Sequence, residues 1–109
     1  MHKYRAKKVE IDGITFDSKR EGARYMALKQ LEEENQISDL KLQPAFELQP
    51  AFRKAGKAFR AIKYVADFSY MDSEGNRIIE DVKGYKTDVY KLKQKLFEYK
   101  FPEYTIREV

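Results

Sequence analysis

Asp67, Asp81 and Lys83 are the residues of this chain whose types and spacing best suit a reaction. Asp67 lies in a strand-like run, Ala61-Ile62-Lys63-Tyr64-Val65-Ala66-Asp67-Phe68-Ser69-Tyr70. The other two lie in a second run, Arg77-Ile78-Ile79-Glu80-Asp81-Val82-Lys83-Gly84. A Gly-containing turn over residues 71–76 joins the runs, which predicts antiparallel neighbours. Side chains alternate along a strand, so Asp81 and Lys83 share one face, and Ile78, Glu80 and Val82 the other. On the first run Tyr64, Ala66, Phe68 and Tyr70 make an apolar face and Asp67 takes the opposite one. Two neighbouring carboxylates suit Mg²⁺, which prefers oxygen ligands and usually keeps several waters. The Val82 carbonyl is a further candidate oxygen. Such an ion polarises a phosphoryl group and lowers the pKa of a bound water. Lys83 beside carboxylates is driven toward its protonated form. Orienting that water and offsetting charge on phosphorus therefore suit it better than proton abstraction.

The plain alternative is a cross-strand ion pair between Asp81 and Lys83, with Asp67 an ordinary exposed acid. Asp is depleted in strands, yet two of them occupy the most strand-like segments rather than the turn. Glu21 is a third candidate acid. Ser18-Lys19-Arg20-Glu21 reads as a capping box, which by itself explains a Glu at that position. On a helical wheel Glu21 also falls between Leu28 and Tyr25, on an inward arc with Ala27 and Leu31. Capping does not require that placement. Glu80 has the wrong parity to join Asp81 and is expected in a surface pair. Gln43 and Gln49 are expected to hydrogen-bond along an edge strand.

The elements that would position these residues follow in order. Residues 1–8 read as a basic arm, and Val9 to Phe16 as a hairpin turning at Asp12-Gly13. A helix runs from Ser18 to about Asn35. Leu42 to Phe52, with Pro44 and Pro50, reads as one extended edge-like strand. Arg53 to Arg60 is a basic connector. After the two motif strands, Thr87 caps a second helix over about Asp88 to Tyr99, with Val89, Leu92, Leu96 and Tyr99 as its inward stripe. Pro102 stops it, and Tyr104 to Val109 closes as a strand. One compact α/β domain over residues 1–109 accounts for this order.

Composition narrows the chemistry. There is no Cys and one His among 109 residues. Disulfides, thiolate zinc sites and Cys nucleophiles are excluded, and a His-based triad is disfavoured. No apolar run approaches the roughly 20 residues that span a bilayer, and no signal peptide is evident, so a cytoplasmic protein is expected. The net charge is +4, with cations gathered at the start, over 53–63, and from Lys83 onward. Three such clusters in a small domain point to a polyanion partner.

With those residues in hand, the chain resembles the PD-(D/E)XK (restriction-endonuclease-like) nuclease superfamily, and within it a small phage-associated branch. The words that carry the likeness are Lys3-Tyr4, Asp12 through Glu21, Leu42-Gln43-Pro44, Asp67-Phe68, Glu80-Asp81-Val82-Lys83-Gly84 and Lys91-Leu92-Lys93-Gln94-Lys95. Ala66 stands where the motif often has Pro. The resemblance implies a mixed central β-sheet flanked by helices. It implies Asp67, Asp81 and Lys83 as the catalytic motif and Glu21 as the additional helix carboxylate. It also implies Mg²⁺- or Mn²⁺-dependent cleavage of DNA. Lys91, Lys95 and Lys86, with Lys3 and Arg5 of the arm, are the expected backbone contacts. Such contacts are salt-sensitive and mostly blind to sequence. Without a domain for reading bases, a structure-selective enzyme acting on branched or junction DNA is expected, in phage recombination and in the host cytoplasm if phage-encoded. Cutting both strands would call for a homodimer. The rival readings are a non-cleaving nucleic-acid-binding accessory protein and a protein–protein adaptor.

Overall fold

A computed structural model describes residues 7–82 and 84–109; Lys3, Arg5 and Lys83 lie outside the described residues. Strands β1 (Val9–Ile11) and β2 (Ile14–Phe16) pair antiparallel, with Ile11 opposite Ile14. Asp12 and Gly13 between them have φ of 55° and 76°. Two left-handed residues give the turn whose twist matches paired strands, and Asp-Gly suits it. Helix α1 (Lys19–Glu33) follows, with Ser18 Oγ accepting from the Glu21 N–H at 3.1 Å. Glu21 reaches back one residue further than the capping box requires, to the Asp17 N–H at 3.2 Å.

Helix α1 buries Gly22, Tyr25 and Leu28. Ala27, expected inward, is exposed. Gly22 is where the helix meets the hairpin. A Cβ there would lie 2.8 Å from Val9 Cγ2 and 2.9 Å from Ile11 Cδ1, so contact narrows the buried face to a line of i, i+3 positions.

The main sheet has the order β10-β9-β8-β3. Strands β3 (Ser38–Leu42), β8 (Phe68–Met71) and β9 (Arg77–Asp81) are antiparallel neighbours, while β10 (Thr105–Glu108) runs parallel to β9. A parallel neighbour requires a crossover, and α2 (Asp88–Lys100) supplies it. Phe16, Tyr25, Leu28, Ile37, Phe68 and Tyr70 form the core under α1. Tyr64, Ala66, Ile79, Tyr90 and Phe97 form the core under α2. The chain is thus mixed α/β, with a multi-strand sheet between two helices. No helix among the described residues is long and apolar enough to cross a membrane.

Several expected elements are cut differently. The extended run 42–52 is divided at Pro44 and Pro50 into the end of β3, β4 (Ala45–Gln49) and the start of β5 (Phe52–Lys54). The run 61–70 is two strands, β7 (Ile62–Val65) and β8, in different sheets. Strand β7 pairs with β4, whereas β8 pairs with β3 and β9. The break falls at Ala66–Asp67, so Tyr64 and Ala66 face α2 while Phe68 and Tyr70 face α1. The basic connector is a hairpin of its own, β5 with β6 (Lys57–Phe59).

The second helix is capped by Thr87 as expected, its Oγ1 accepting from Tyr90 N–H at 3.0 Å. It is rotated from the expected setting. Val89, Leu92, Leu96 and Tyr99 are exposed, and Tyr90 and Phe97 are buried. The reason is aromatic packing. Phe97 lies 5.0 Å from Phe46, 5.2 Å from Tyr64 and 5.1 Å from Phe101, centroid to centroid. Rings carry more buried area per residue than the aliphatic stripe can offer.

Candidate functional site

The break between β7 and β8 fixes Asp67. Its N–H donates to the Glu80 carbonyl at 3.0 Å, and its carbonyl accepts from Gln43 N–H at 2.9 Å. Its Oδ2 accepts from the Val82 N–H at 2.7 Å. The side chain so held meets Glu21 in the first turn of α1. The two carboxyls are within hydrogen-bonding reach, and Glu21 is pushed up to about 7, first by burial and then by Asp67. Together they line a cavity of about 140 Å³ with Gln43, Thr15 and an apolar wall of Ile14, Phe16, Leu42 and Phe68. The structure therefore brings together two of the expected acids, from elements far apart in sequence.

Asp81 ends β9 and is fully buried. Its Oδ2 accepts from the Tyr64 hydroxyl, and its carbonyl accepts from Val109 N–H at 2.9 Å. Burial pushes the Tyr64 hydroxyl far up, and the Asp81 carboxylate pushes it further, so that it stays a donor. Tyr90 beside it is raised for the same first reason and donates to Glu108 Oε2 at 2.8 Å. Asp81 does not line the cavity of Glu21 and Asp67. Among the described residues no three of His, Cys, Asp and Glu form a group that could hold a metal ion. The expected grip by three acids is thus a pair. Strand alternation turns Asp81 toward the α2 side, and the break at Ala66–Asp67 turns Asp67 toward α1.

Glu80 overturns its expectation most clearly. It is not a surface residue but fully buried. Arg24 of α1 holds it with two hydrogen bonds, Nε at 2.8 Å and Nη2 at 2.6 Å. The Tyr70 hydroxyl donates to Glu80 Oε2, and Arg107 Nη1 donates to that hydroxyl at 3.2 Å. Burial, then Glu80, pushes Tyr70 up to about 12. This is a satisfied internal network of the kind that fixes packing. The signal for it was the Ile78-Ile79 run, since consecutive apolar residues mark a strand covered on both faces.

The candidate cations divide. Lys91 and Lys95 are exposed on α2. Lys86 pairs with Glu108 Oε1 at 2.7 Å. Lys3, Arg5 and Lys83 lie outside the described residues.

A family model described as "Protein of unknown function (DUF1064)" matches residues 1–109. The chain belongs to the DUF1064 family. No curated protein and no solved structure matches it. Two oxygen-donor carboxylates at a half-buried cavity fit a hard divalent cation, which takes one or two from a protein and keeps water elsewhere. The same pair without a cation is electrostatically costly.

Proposed function

We propose that this domain is a divalent-metal-dependent endodeoxyribonuclease, like the PD-(D/E)XK superfamily it resembles, and that the Glu21–Asp67 pair is its centre. One observation carries the reading: two carboxylates from separate elements are pressed together in a cavity, and one is raised to about 7. Like charges side by side cost folding energy, and groups so perturbed cluster at functional sites. A bound Mg²⁺ or Mn²⁺ would supply a Lewis acid for a phosphoryl oxygen and a more acidic water. Asp67 is oriented for such an ion by the Val82 N–H, and Glu21 by the Asp17 N–H. Asp81 stands outside this centre, buried against Tyr64, and the charge-offsetting role of Lys83 is what the resemblance implies. The apolar wall of Ile14, Phe16 and Phe68 limits water on one side of the acids. Exposed Lys91 and Lys95 hold the DNA backbone, and branched DNA is the preferred substrate.

The test is incubation of pure protein with labelled duplex, single-stranded and four-way-junction DNA in Mg²⁺, Mn²⁺ or EDTA. Metal-dependent scission is expected, and Asp67→Asn should reduce it to background while binding survives. Asn keeps an oxygen for the Val82 N–H, so the fold is not challenged. Scission that persists in EDTA or in Asp67→Asn overturns the proposal.

A second reading is favoured by the burial of Asp81 against Tyr64, which occupies an acid the superfamily pattern assigns to catalysis. On that reading the domain binds DNA without cutting it. Salt-sensitive binding with no scission in any metal would select it.

A further inference from the structure

From Leu48 to Ala66 the chain has no acidic residue and five cations, Arg53, Lys54, Lys57, Arg60 and Lys63. All five are exposed, as is every residue from 49 to 60. This segment folds as a ribbon in two stages. Strands β4 and β7 pair from Ala45↔Val65 to Gln49↔Ile62, and β5 and β6 pair beyond them from Phe52↔Phe59 to Lys54↔Lys57. Ala55 and Gly56, with φ of 52° and 77°, close the tip as a two-residue turn.

The base of the ribbon is fixed and its tip is not covered. Phe46 of β4 packs against Phe97 and Phe101, with centroids at 5.0 and 5.7 Å. Lys100 Nζ donates to the Glu47 carbonyl at 2.9 Å. Among the described residues, the rings of the tip pair only with each other. Phe52 and Phe59 stack at 4.7 Å with planes 7° apart, yet remain 42% and 37% exposed. Strand alternation puts Lys54 and Lys57 on the same face as the two rings, and Lys57 Nζ sits 5.4 Å from the Phe59 centroid. A cross-strand aromatic pair stabilises a hairpin, but it does not call for five cations and no acid around it.

The ribbon also starts at the acid pair. The rungs next to its base are Gln43 N–H to the Asp67 carbonyl and Ala66 N–H to the Pro44 carbonyl. At about 3.3 Å per residue, the eight steps from Val65 to Lys57 reach roughly 26 Å. That is less than one turn of duplex, about 34 Å. The major groove, about 12 Å wide, admits a two-stranded β-ribbon.

We propose that residues 52–60 are a DNA-gripping arm that enters a groove of duplex less than one turn from the acid pair. Lys54, Lys57 and Arg60 contact phosphates, and the Phe52 and Phe59 rings pack against sugars and base edges. The arm positions the substrate and takes no part in bond breaking. This inference rests on the DNA-binding half of the function proposed above, not on cleavage.

Its test is therefore a binding experiment in EDTA, by fluorescence anisotropy of labelled duplex DNA, junction DNA and duplex RNA across a salt series, with the full chain. The variant combines Lys54→Ala, Lys57→Ala and Arg60→Ala. Its salt slope on duplex should fall by roughly 2–3, and its affinity at 0.1 M salt by at least about tenfold, with an unchanged melting temperature. Should it melt lower, Lys54→Gln with Lys57→Gln keeps the side-chain bulk and should lower the slope by roughly 2. Affinity and slope equal to wild type in the folded variant overturn the arm and leave the DNA-binding reading standing. Wild-type protein that binds no DNA at any salt overturns both. Tighter binding to duplex RNA, whose major groove is too deep and narrow to admit side chains, overturns the groove assignment.

Discussion

One helix serves two carboxylate sites three residues apart, and it treats them in opposite ways. Arg24 of α1 meets Glu80 with a two-point hydrogen bond, and Tyr70 completes the shell. Glu21 of the same helix meets Asp67 with a second carboxyl, and its own pKa rises. Glu80 is the more deeply buried, so depth does not set which acid is stabilised. The partner sets it. A fold that neutralises one acid with an Arg and confronts the next with a like charge leaves the second site suited to a cation from outside.

The largest expected effect breaks the compensated side. Arg24→Met should cost roughly 3–5 kcal/mol in urea or thermal unfolding, because it strands a buried carboxylate. Adding Glu80→Gln to it should recover much of that loss. A single-variant cost below about 1 kcal/mol would show that the two sites do not differ in kind. On the other side, Asp67→Asn should leave the metal-free protein as stable as wild type or more so, within about 1 kcal/mol, since solvent screens a half-exposed pair. A marked fall in melting temperature would mean that Asp67 is structural.

The pH dependence sharpens the contrast further. Glu21 holds its proton up to about 7 in the folded protein, against 4.5 in its usual state. Folding therefore takes up a proton in this window. Its contribution to stability is complete below about 4.5 and is lost as pH rises through about 7. Melting temperature without metal should fall over that range, Glu21→Gln should flatten the fall, and Mn²⁺ at pH 8 should raise the melting temperature of wild type more than that of the variant. The smallest effect belongs to Lys86 and Glu108, an oppositely charged pair near the surface. Lys86→Ala should cost about 0.2–1 kcal/mol, and the loss should shrink in high salt.

What could be read from the sequence was local. Asp12-Gly13 specified its turn, Ser18 and Thr87 their caps, and Pro102 the end of α2, because each acts on backbone within a few residues. Asp67 and Glu21 were legible as candidates because each occupied a place its element did not need. The failures were tertiary. The stripe of Val89, Leu92, Leu96 and Tyr99 marks an apolar face of α2, but rings at Tyr90 and Phe97 decided which face met the sheet. Alternation in 61–70 could not reveal that β7 leaves the main sheet for β4, which moved Asp67 across to α1. The parity that sent Glu80 to the surface assumed a strand with one wet face, whereas β9 is covered on both. Arg53 to Arg60 looked like a connector because nothing in it is buried.

Gly22 bears on how the acid pair is hydrated. Its missing side chain lets Val9 and Ile11 rest on α1, one residue from Glu21. A methyl group there would press on the Val9 and Ile11 side chains and loosen the seat of the hairpin that carries Ile14 and Phe16 of the cavity wall. More water would then reach Glu21, and its affinity for a proton would relax toward that of a carboxyl in solution. A residue with no chemistry of its own thus works as the depth gauge for one that has it.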